Sequence, residues 1–283
     1  MKKNVIIRSI SGIVYVAVFV GCILGGSIPF WALTEFLIAA GIFEYMRLMH
    51  KFDGENINIG LYVPVVIMAL FIDIFAWDSL IWWFSMAWVG LMTFMFWPIM
   101  LCATVFLKSR NPVGALSGSL LALPYIALPM TLLNISYQMV NGWELILLTL
   151  IAIWVNDTGA FCVGCSIGKH KLCERLSPKK SWEGFWGGMG FVVVGMAIYC
   201  IVLNYDALRF FIYIVYGIII SVLATLGDLF ESMLKRRAGV KDSGNIIPGH
   251  GGILDRIDSL LFVAYAVVVM SYCLECISAY YGN

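Results

Sequence analysis

Residues 207–232 read ALRFFIYIVYGIIISVLATLGDLFES. Between Phe210 and Leu226 the only polar groups are the hydroxyls of Tyr213, Tyr216, Ser221 and Thr225. A run of about 20 residues that is apolar on every face has no wet side, so it reads as a membrane-spanning helix. A membrane β-strand would alternate apolar and polar residues instead. At its end Asp228, Glu231, Ser232 and Lys235 follow at i, i+3, i+4 and i+7, so one helix face turns polar.

The rest of the chain repeats the pattern. Of 283 residues, 61% are hydrophobic and 12% charged, about half the charged share of an average soluble domain. Nine candidate spans emerge: 5–25, 28–49, 59–76, 79–107, 113–135, 143–164, 183–203, 207–232 and 252–279. The expected fold is an all-α polytopic membrane protein of about nine transmembrane helices, one integral membrane domain over residues 1–283. Trp97-Pro98 is expected to kink or end the fourth span, and Pro124 and Pro129 to bend the fifth. The first span is long and no small-residue cleavage site follows it, so it reads as retained.

Orientation follows from the positive-inside rule. With Lys2, Lys3 and Arg8 in the cytoplasm, nine spans place every Lys and Arg except Arg209 on the cytoplasmic side. Eight spans would scatter them. The expected topology is N-terminus cytoplasmic, C-terminus outside. Formal net charge is +1, which implies no nucleic-acid partner. Residues 1–155 carry charge mostly at helix ends and read as membrane scaffold; residues 156–258 concentrate it and read as a catalytic, cytoplasm-facing region. Cys162-x-x-Cys165 and Cys273-x-x-Cys276 have the spacing of zinc half-sites. The expected topology separates them across the membrane, so both pairs read as apolar filler, with a Cys273–Cys276 disulfide left open.

Residues 151–188 read IAIWVNDTGAFCVGCSIGKHKLCERLSPKKSWEGFWGG. Asp157 lies about eight residues before the expected helix end, roughly 12 Å inside it. A carboxylate at that depth is costly unless paired, hydrated or bound to a cation. Gly164, Gly168 and Lys169 make a glycine-spaced loop whose N–H groups could hold phosphate, though its spacing is not that of a P-loop. Lys179 and Lys180 set topology or clamp a lipid phosphate or triphosphate. From Ser232 to Asp258 the chain reads SMLKRRAGVKDSGNIIPGHGGILDRID. The glycines of P-G-H-G-G let backbone approach a ligand. Asp255 and Asp258 follow at i, i+3 on the first turns of the last span, where the helix dipole tolerates anions. Asp228, Asp255 and Asp258 beside so many cations suit a metal-and-phosphate site, since Mg²⁺ binds through one or two carboxylates plus substrate phosphates. The residues alone lead to a membrane enzyme acting on phosphates.

The run S-x-x-K-R-x-x-x-x-K-D-x-G-x-x-x-P-G-H-G-G-x-x-D-R-x-D, Ser232 to Asp258, resembles the signature of the phosphatidate cytidylyltransferases (CDP-diacylglycerol synthases). Asn156-Asp157-Thr158, Gly164, Gly168-Lys169, Ser177-Pro178-Lys179-Lys180 and Glu183-Gly184 resemble a second block of that family. Departures are Phe161, where the family usually has Tyr, and Ser181, where it usually has Thr. The resemblance covers about residues 156–258. It implies transfer of the cytidylyl group of CTP to phosphatidate, giving CDP-diacylglycerol and pyrophosphate in phospholipid biosynthesis. It also implies a bacterial cytoplasmic membrane with the active site facing the cytoplasm.

On the same resemblance Asp228, Asp255 and Asp258 form a Mg²⁺ centre, with room for a second cation. Lys235, Arg236, Lys241 and Arg256 hold triphosphate or leaving pyrophosphate, Lys235 and Lys241 with a catalytic part, and His250 donates to a phosphate oxygen. Ser232, Asp242 and Gly251 complete the substrate contacts of the long motif. Asp157, Lys169, Lys179 and Lys180 face the lipid head or cytidine. The partners are CTP, phosphatidate and membrane lipid, and a homodimer is an allowed assembly. A CTP-dependent polyprenol or phytol kinase would instead transfer the γ-phosphate; the full-length motif argues against it. A transporter would place polar groups near the midplane, often in repeated broken helices, whereas here the acids crowd one face. A scaffold that only binds anionic lipid would need the cations but not the acids.

Overall fold

The computed structural model describes residues 2–53, 59–77, 96, 98–102, 104–106, 111–244, 246 and 251–281, and these are mostly helical. In chain order they form α1 (Lys2–Leu24), α2 (Ser27–Asp53), α3 (Ile59–Trp77), α4 (Pro112–Ala122), a π-helical turn (Leu123–Ala127), α5 (Leu128–Gln138) and α6 (Gly142–Ile167). A hairpin of β1 (Lys171–Cys173) and β2 (Ser177–Ser181) follows, then α7 (Trp182–Val202), α8 (Ala207–Arg237) and α9 (Leu254–Tyr281). These helices lie within a few residues of the apolar segments expected there. The expected fourth span, 79–107, falls largely outside the described residues. Among the described residues six helical runs are long and apolar enough to cross a membrane: α2, α4 through α5, α6, α7, α8 and α9. α1 and α3 carry shorter apolar cores, Ile10–Leu24 and Tyr62–Ile74.

Where Pro124 and Pro129 were expected to bend the span, the helix carries the π-helical turn Leu123–Ala127. Pro124 has no N–H to give, and the ladder widens until the Leu128 N–H reaches the Leu123 carbonyl, five residues back. The hairpin was not expected; residues 168–181 read as a loop. Lys171 pairs with Ser181 and Cys173 with Ser177 in antiparallel register, with a bulge between. Strands of three and five residues and mixed polarity carry too few alternations to register as a pattern.

The helices gather into two compact units, Met1–Gln138 with Leu234–Arg256, and Met139–Met233 with Ile257–Asn283. In the first, Tyr137 donates to the Ile23 carbonyl (2.7 Å) and Tyr45 to the Gly118 carbonyl (3.0 Å). Asp73, fully buried, accepts from Asn134 Nδ2 at 2.8 Å, and the same amide nitrogen meets Thr34 Oγ1 at 2.6 Å. A buried carboxylate among apolar helices requires such donors. In the second, α6 and α7 pack closely along glycines. A Cβ at Gly184 would lie 2.8 Å from the Ala160 carbonyl oxygen, and one at Gly188 would lie 2.6 Å from that of Asn156. Small residues let membrane helices approach to backbone distance, where dispersion and polar contacts replace the missing hydrophobic drive.

Candidate functional site

In the second unit, α8 and α9 meet at a glycine. A Cβ on Gly227 would stand 2.5 Å from the Asp258 carbonyl oxygen and 3.0 Å from the Ser259 Cα. Ser259 Oγ donates to the Ala224 carbonyl at 3.1 Å across the same contact. The close approach sets Asp228 and Glu231 of α8 beside Asp258 of α9. One carboxylate oxygen from each of the three lies within 4.8 Å of the others. Glu231 is fully buried, and Asp228 and Asp258 are half-buried. Lys180, at the end of β2, pairs with Asp228 Oδ2 at 2.5 Å, and Ser232 Oγ donates to Asp228 Oδ1 at 3.3 Å.

Three carboxylates this close repel one another when ionised, so the cluster favours a cation. Oxygen donors from carboxylates fit a hard divalent ion. Sequence reading named Asp228, Asp255 and Asp258 for a metal; the cluster joins Asp228 and Asp258 with Glu231, which that reading did not name, and Asp255 is not one of its members. The signal was present: Glu231 is i+3 from Asp228 on the polar face of α8. It was used only to show that the face was polar.

The glycine-spaced loop takes a different role from the one expected. Gly164 and Gly168 make room for helix and hairpin packing: a Cβ at Gly168 would lie 2.6 Å from Ser181 Oγ. The Lys169 N–H, in the loop expected to offer its amides to phosphate, and the neighbouring His170 N–H donate to the Glu183 carboxylate at 3.1–3.2 Å. Glu183 also holds His170 Nδ1 at 2.6 Å. An anion already fills that nest, and it belongs to the chain. Ser181, standing where Thr was expected, caps α7 by accepting the Gly184 N–H at 3.1 Å. Asp157 on α6, the Lys169 side chain and Lys179 on β2 are exposed.

The first unit holds the other half of the charged motif. α8 ends in a left-handed Gly239 (φ +68°), with the Val240 N–H returning to the Lys235 carbonyl at 3.0 Å. Arg236 Nη1 donates to the Val240 carbonyl at 3.3 Å. Lys241 and Asp242 are exposed. Asp255 is the centre of a dense network. Its Oδ1 pairs with Lys235 Nζ at 2.6 Å. Its Oδ2 accepts from the Ser243 N–H (2.9 Å), the Gly252 N–H (2.8 Å) and the Ser243 hydroxyl (3.0 Å). Gly251 has φ +83°, and a Cβ there would lie 2.6 Å from Asp255 Oδ2, so only glycine fits both the dihedral and the space. The Arg256 carbonyl accepts from the Tyr15 hydroxyl of α1 at 3.0 Å. His250, with Pro248 and Gly249, lies outside the described residues.

Sequence reading also missed Glu44 of α2. It is fully buried. Its Oε2 lies 3.0 Å from Ser243 Oγ, whose hydrogen it shares with Asp255, and accepts from the Leu254 N–H at 2.8 Å. Nothing local announces it, because its partners lie about 200 positions further along the chain.

A cytidylyltransferase family model matches residues 6–274. A phosphatidate cytidylyltransferase of Staphylococcus saprophyticus is 32% identical over 260 residues, covering 91% of this chain and 95% of that one. One from Bacillus subtilis is 33% identical over 259 residues, covering 90% and 93%. A third, from Staphylococcus aureus, is 38% identical over 169 residues, covering 58% and 62%.

Proposed function

The chain belongs to the cytidylyltransferase family, and on that premise we propose that it transfers the cytidylyl group of CTP to phosphatidate at the cytoplasmic face of a bacterial inner membrane. The observation that carries this reading is the acidic cluster of Asp228, Glu231 and Asp258 with Lys180 beside it. A phosphate oxygen of the lipid forms the new bond to the α-phosphorus of CTP. The bond from that phosphorus to the β-phosphate oxygen breaks, and pyrophosphate leaves with the electron pair. A phosphate monoester has its second pKa at about 6, so the nucleophile is largely ionised near neutral pH and needs no strong base. The remaining task is to align two polyanions and offset their repulsion.

In the second unit, Asp228, Glu231 and Asp258 would hold Mg²⁺. Bound there, the ion would supply charge neutralisation on the triphosphate and the leaving group. Lys180 would exchange Asp228 for phosphate, and Asp157, Lys169 and Lys179 would serve the lipid head or cytidine. In the first unit, Lys235, Arg236, Lys241 and Arg256 would hold phosphate, with His250 as a donor. A second cation would take the place of the Lys235 ammonium at Asp255 Oδ1. The same reading keeps nine spans, a cytoplasmic N-terminus, an outer C-terminus and a homodimeric assembly as proposals.

The test uses purified protein in liposomes with phosphatidate, Mg²⁺ and CTP labelled at the α- or the γ-phosphate. The α label entering lipid, with the γ label leaving in pyrophosphate, is the expected result. The γ label entering lipid would make the protein a kinase. No label in lipid from folded protein would remove the enzymatic reading.

A further inference from the structure

The first unit joins two parts of the chain that the motif does not connect. Residues 234–256 carry Lys235 and Asp255, and they form one compact unit with residues 1–138. The tie is specific. α9 begins at Leu254, so the Leu254 N–H is among the first four of the helix, which have no partner inside it. A side chain from the preceding residues usually supplies that acceptor. Here Glu44 supplies it from α2, 210 positions away. The Ser243 hydroxyl lies 3.0 Å from both Glu44 Oε2 and Asp255 Oδ2, so its single hydrogen is shared between the two carboxylates. Ser243 therefore bridges the buried scaffold carboxylate to the motif carboxylate.

The space around Glu44 is shaped to match. A Cβ on Gly252 would run into Glu44 Oε2 and Ser243 Oγ, and one on Gly244 would run into Glu44 Oε1. Two of the motif's glycines are thus accounted for by close approach to Glu44. A fully buried carboxylate is costly, and a residue that only filled space at this position could be apolar. Its donors are the first amide of α9 and the serine that orients Asp255.

We propose that Glu44 is a positioning residue for the reaction: from α2 it fixes the first turn of α9 and, through Ser243, the orientation of Asp255 and of the Lys235 paired with it. This rests on the cytidylyl-transfer reading above. Glu44 touches no substrate in this proposal. It sets where the Lys235 ammonium and the Asp255 carboxylate stand when CTP arrives, so its loss should fall on CTP rather than on phosphatidate. Outer partners that orient site groups typically matter by 10–100-fold.

The experiment compares full-length wild type with Glu44→Ala, Glu44→Gln and Ser243→Ala in liposomes. Separate KM values are measured for CTP and phosphatidate, and α-labelled CTP binding is measured by equilibrium dialysis with Mg²⁺ and no lipid substrate. Glu44→Ala is expected to weaken CTP binding and raise its KM roughly tenfold or more, leaving the KM for phosphatidate near wild type. Glu44→Gln keeps an oxygen acceptor for the Leu254 N–H and is expected to restore CTP binding to within about threefold of wild type. A merely structural role would lower the amount of folded enzyme, and so the apparent kcat, without moving either KM. Folded Glu44→Ala with wild-type CTP binding and KM would overturn the proposal. Should Glu44→Ala fail to fold, Ser243→Ala decides: about a threefold loss of CTP binding supports the bridge, and no change removes it. Inactive wild type would instead count against the cytidylyl-transfer reading, so the two failures stay distinct.

Discussion

Two lysine–aspartate pairs invite comparison. Lys180 with Asp228 in the second unit and Lys235 with Asp255 in the first have nearly the same length, 2.5 and 2.6 Å. Their surroundings differ. Asp255 is 7% exposed and is held by two backbone amides and a hydroxyl besides its lysine. Asp228 is 36% exposed and stands against two more carboxylates. The Lys235–Asp255 pair is an anchor whose carboxylate oxygens hold a loop. The Lys180–Asp228 pair sits in a cluster of like charges that gains from an added cation. The same two residue types can therefore stabilise the fold or prepare it for a ligand, and the neighbours decide which.

The comparison breaks most sharply at Asp258. Asp258→Asn removes one of three mutually repelling carboxylates, so the metal-free protein should be no less stable, and by the logic of like charges more so. Cytidylyl transfer should fall on the order of 10³-fold, because charge on the leaving group loses its counter-ion. Melting in detergent checks both parts. Mg²⁺ should raise the wild-type melting temperature by mass action and leave the variant unmoved. Retained activity with retained Mg²⁺ stabilisation would mean that the acidic cluster is not the metal centre.

Asp255→Asn should behave in the opposite sense before any substrate is added. It removes the carboxylate charge that the Lys235 ammonium, 12% exposed, meets at 2.6 Å, and weakens the acceptor of two backbone amides. Removing one partner of a buried pair costs about 3 kcal/mol or more, so the metal-free variant should melt well below wild type. Equal melting of Asp255→Asn and Asp258→Asn would erase the distinction between anchor and cluster.

Much of this was legible in the residues. Continuous apolar runs placed the helices, since a chain with so few charged residues has no other way to satisfy its backbone in lipid. The charged motif from Ser232 to Asp258 ends on one member of the acidic cluster, Asp258, and begins at the residue after a second member, Glu231. What escaped notice shares one cause: it depends on distant or weak partners. Glu44 looks like an ordinary carboxylate near a helix end until Ser243 and Leu254 are seen against it. The hairpin at 171–181 is too short to pattern. Gly164 and Gly168 suggested a phosphate loop because glycine spacing looks alike whether backbone approaches a ligand or another helix. The structure assigns them to packing, and gives the nearby amides to Glu183.

Gly227 offers the finest test of the same contrast, because it acts on the cluster through geometry alone. No charge changes in Gly227→Ala. The added methyl would stand 2.5 Å from a backbone oxygen, closer than real contacts allow, and backbone cannot rotate aside as a side chain can. α8 and α9 must therefore separate slightly, at a cost of about 1–3 kcal/mol typical of overpacking. The three ligand oxygens move apart with the helices. Mg²⁺ dependence should shift to higher concentration, while the Lys235–Asp255 anchor in the first unit, which makes no use of this glycine, should leave CTP binding without metal unchanged. Comparing the Mg²⁺ concentration for half-maximal activity with metal-free CTP binding separates the two regions in one variant. A parallel loss in both would mean that α8 transmits the disturbance along its length. An unshifted Mg²⁺ requirement would mean that the close approach of the helices does not set the spacing of Asp228, Glu231 and Asp258.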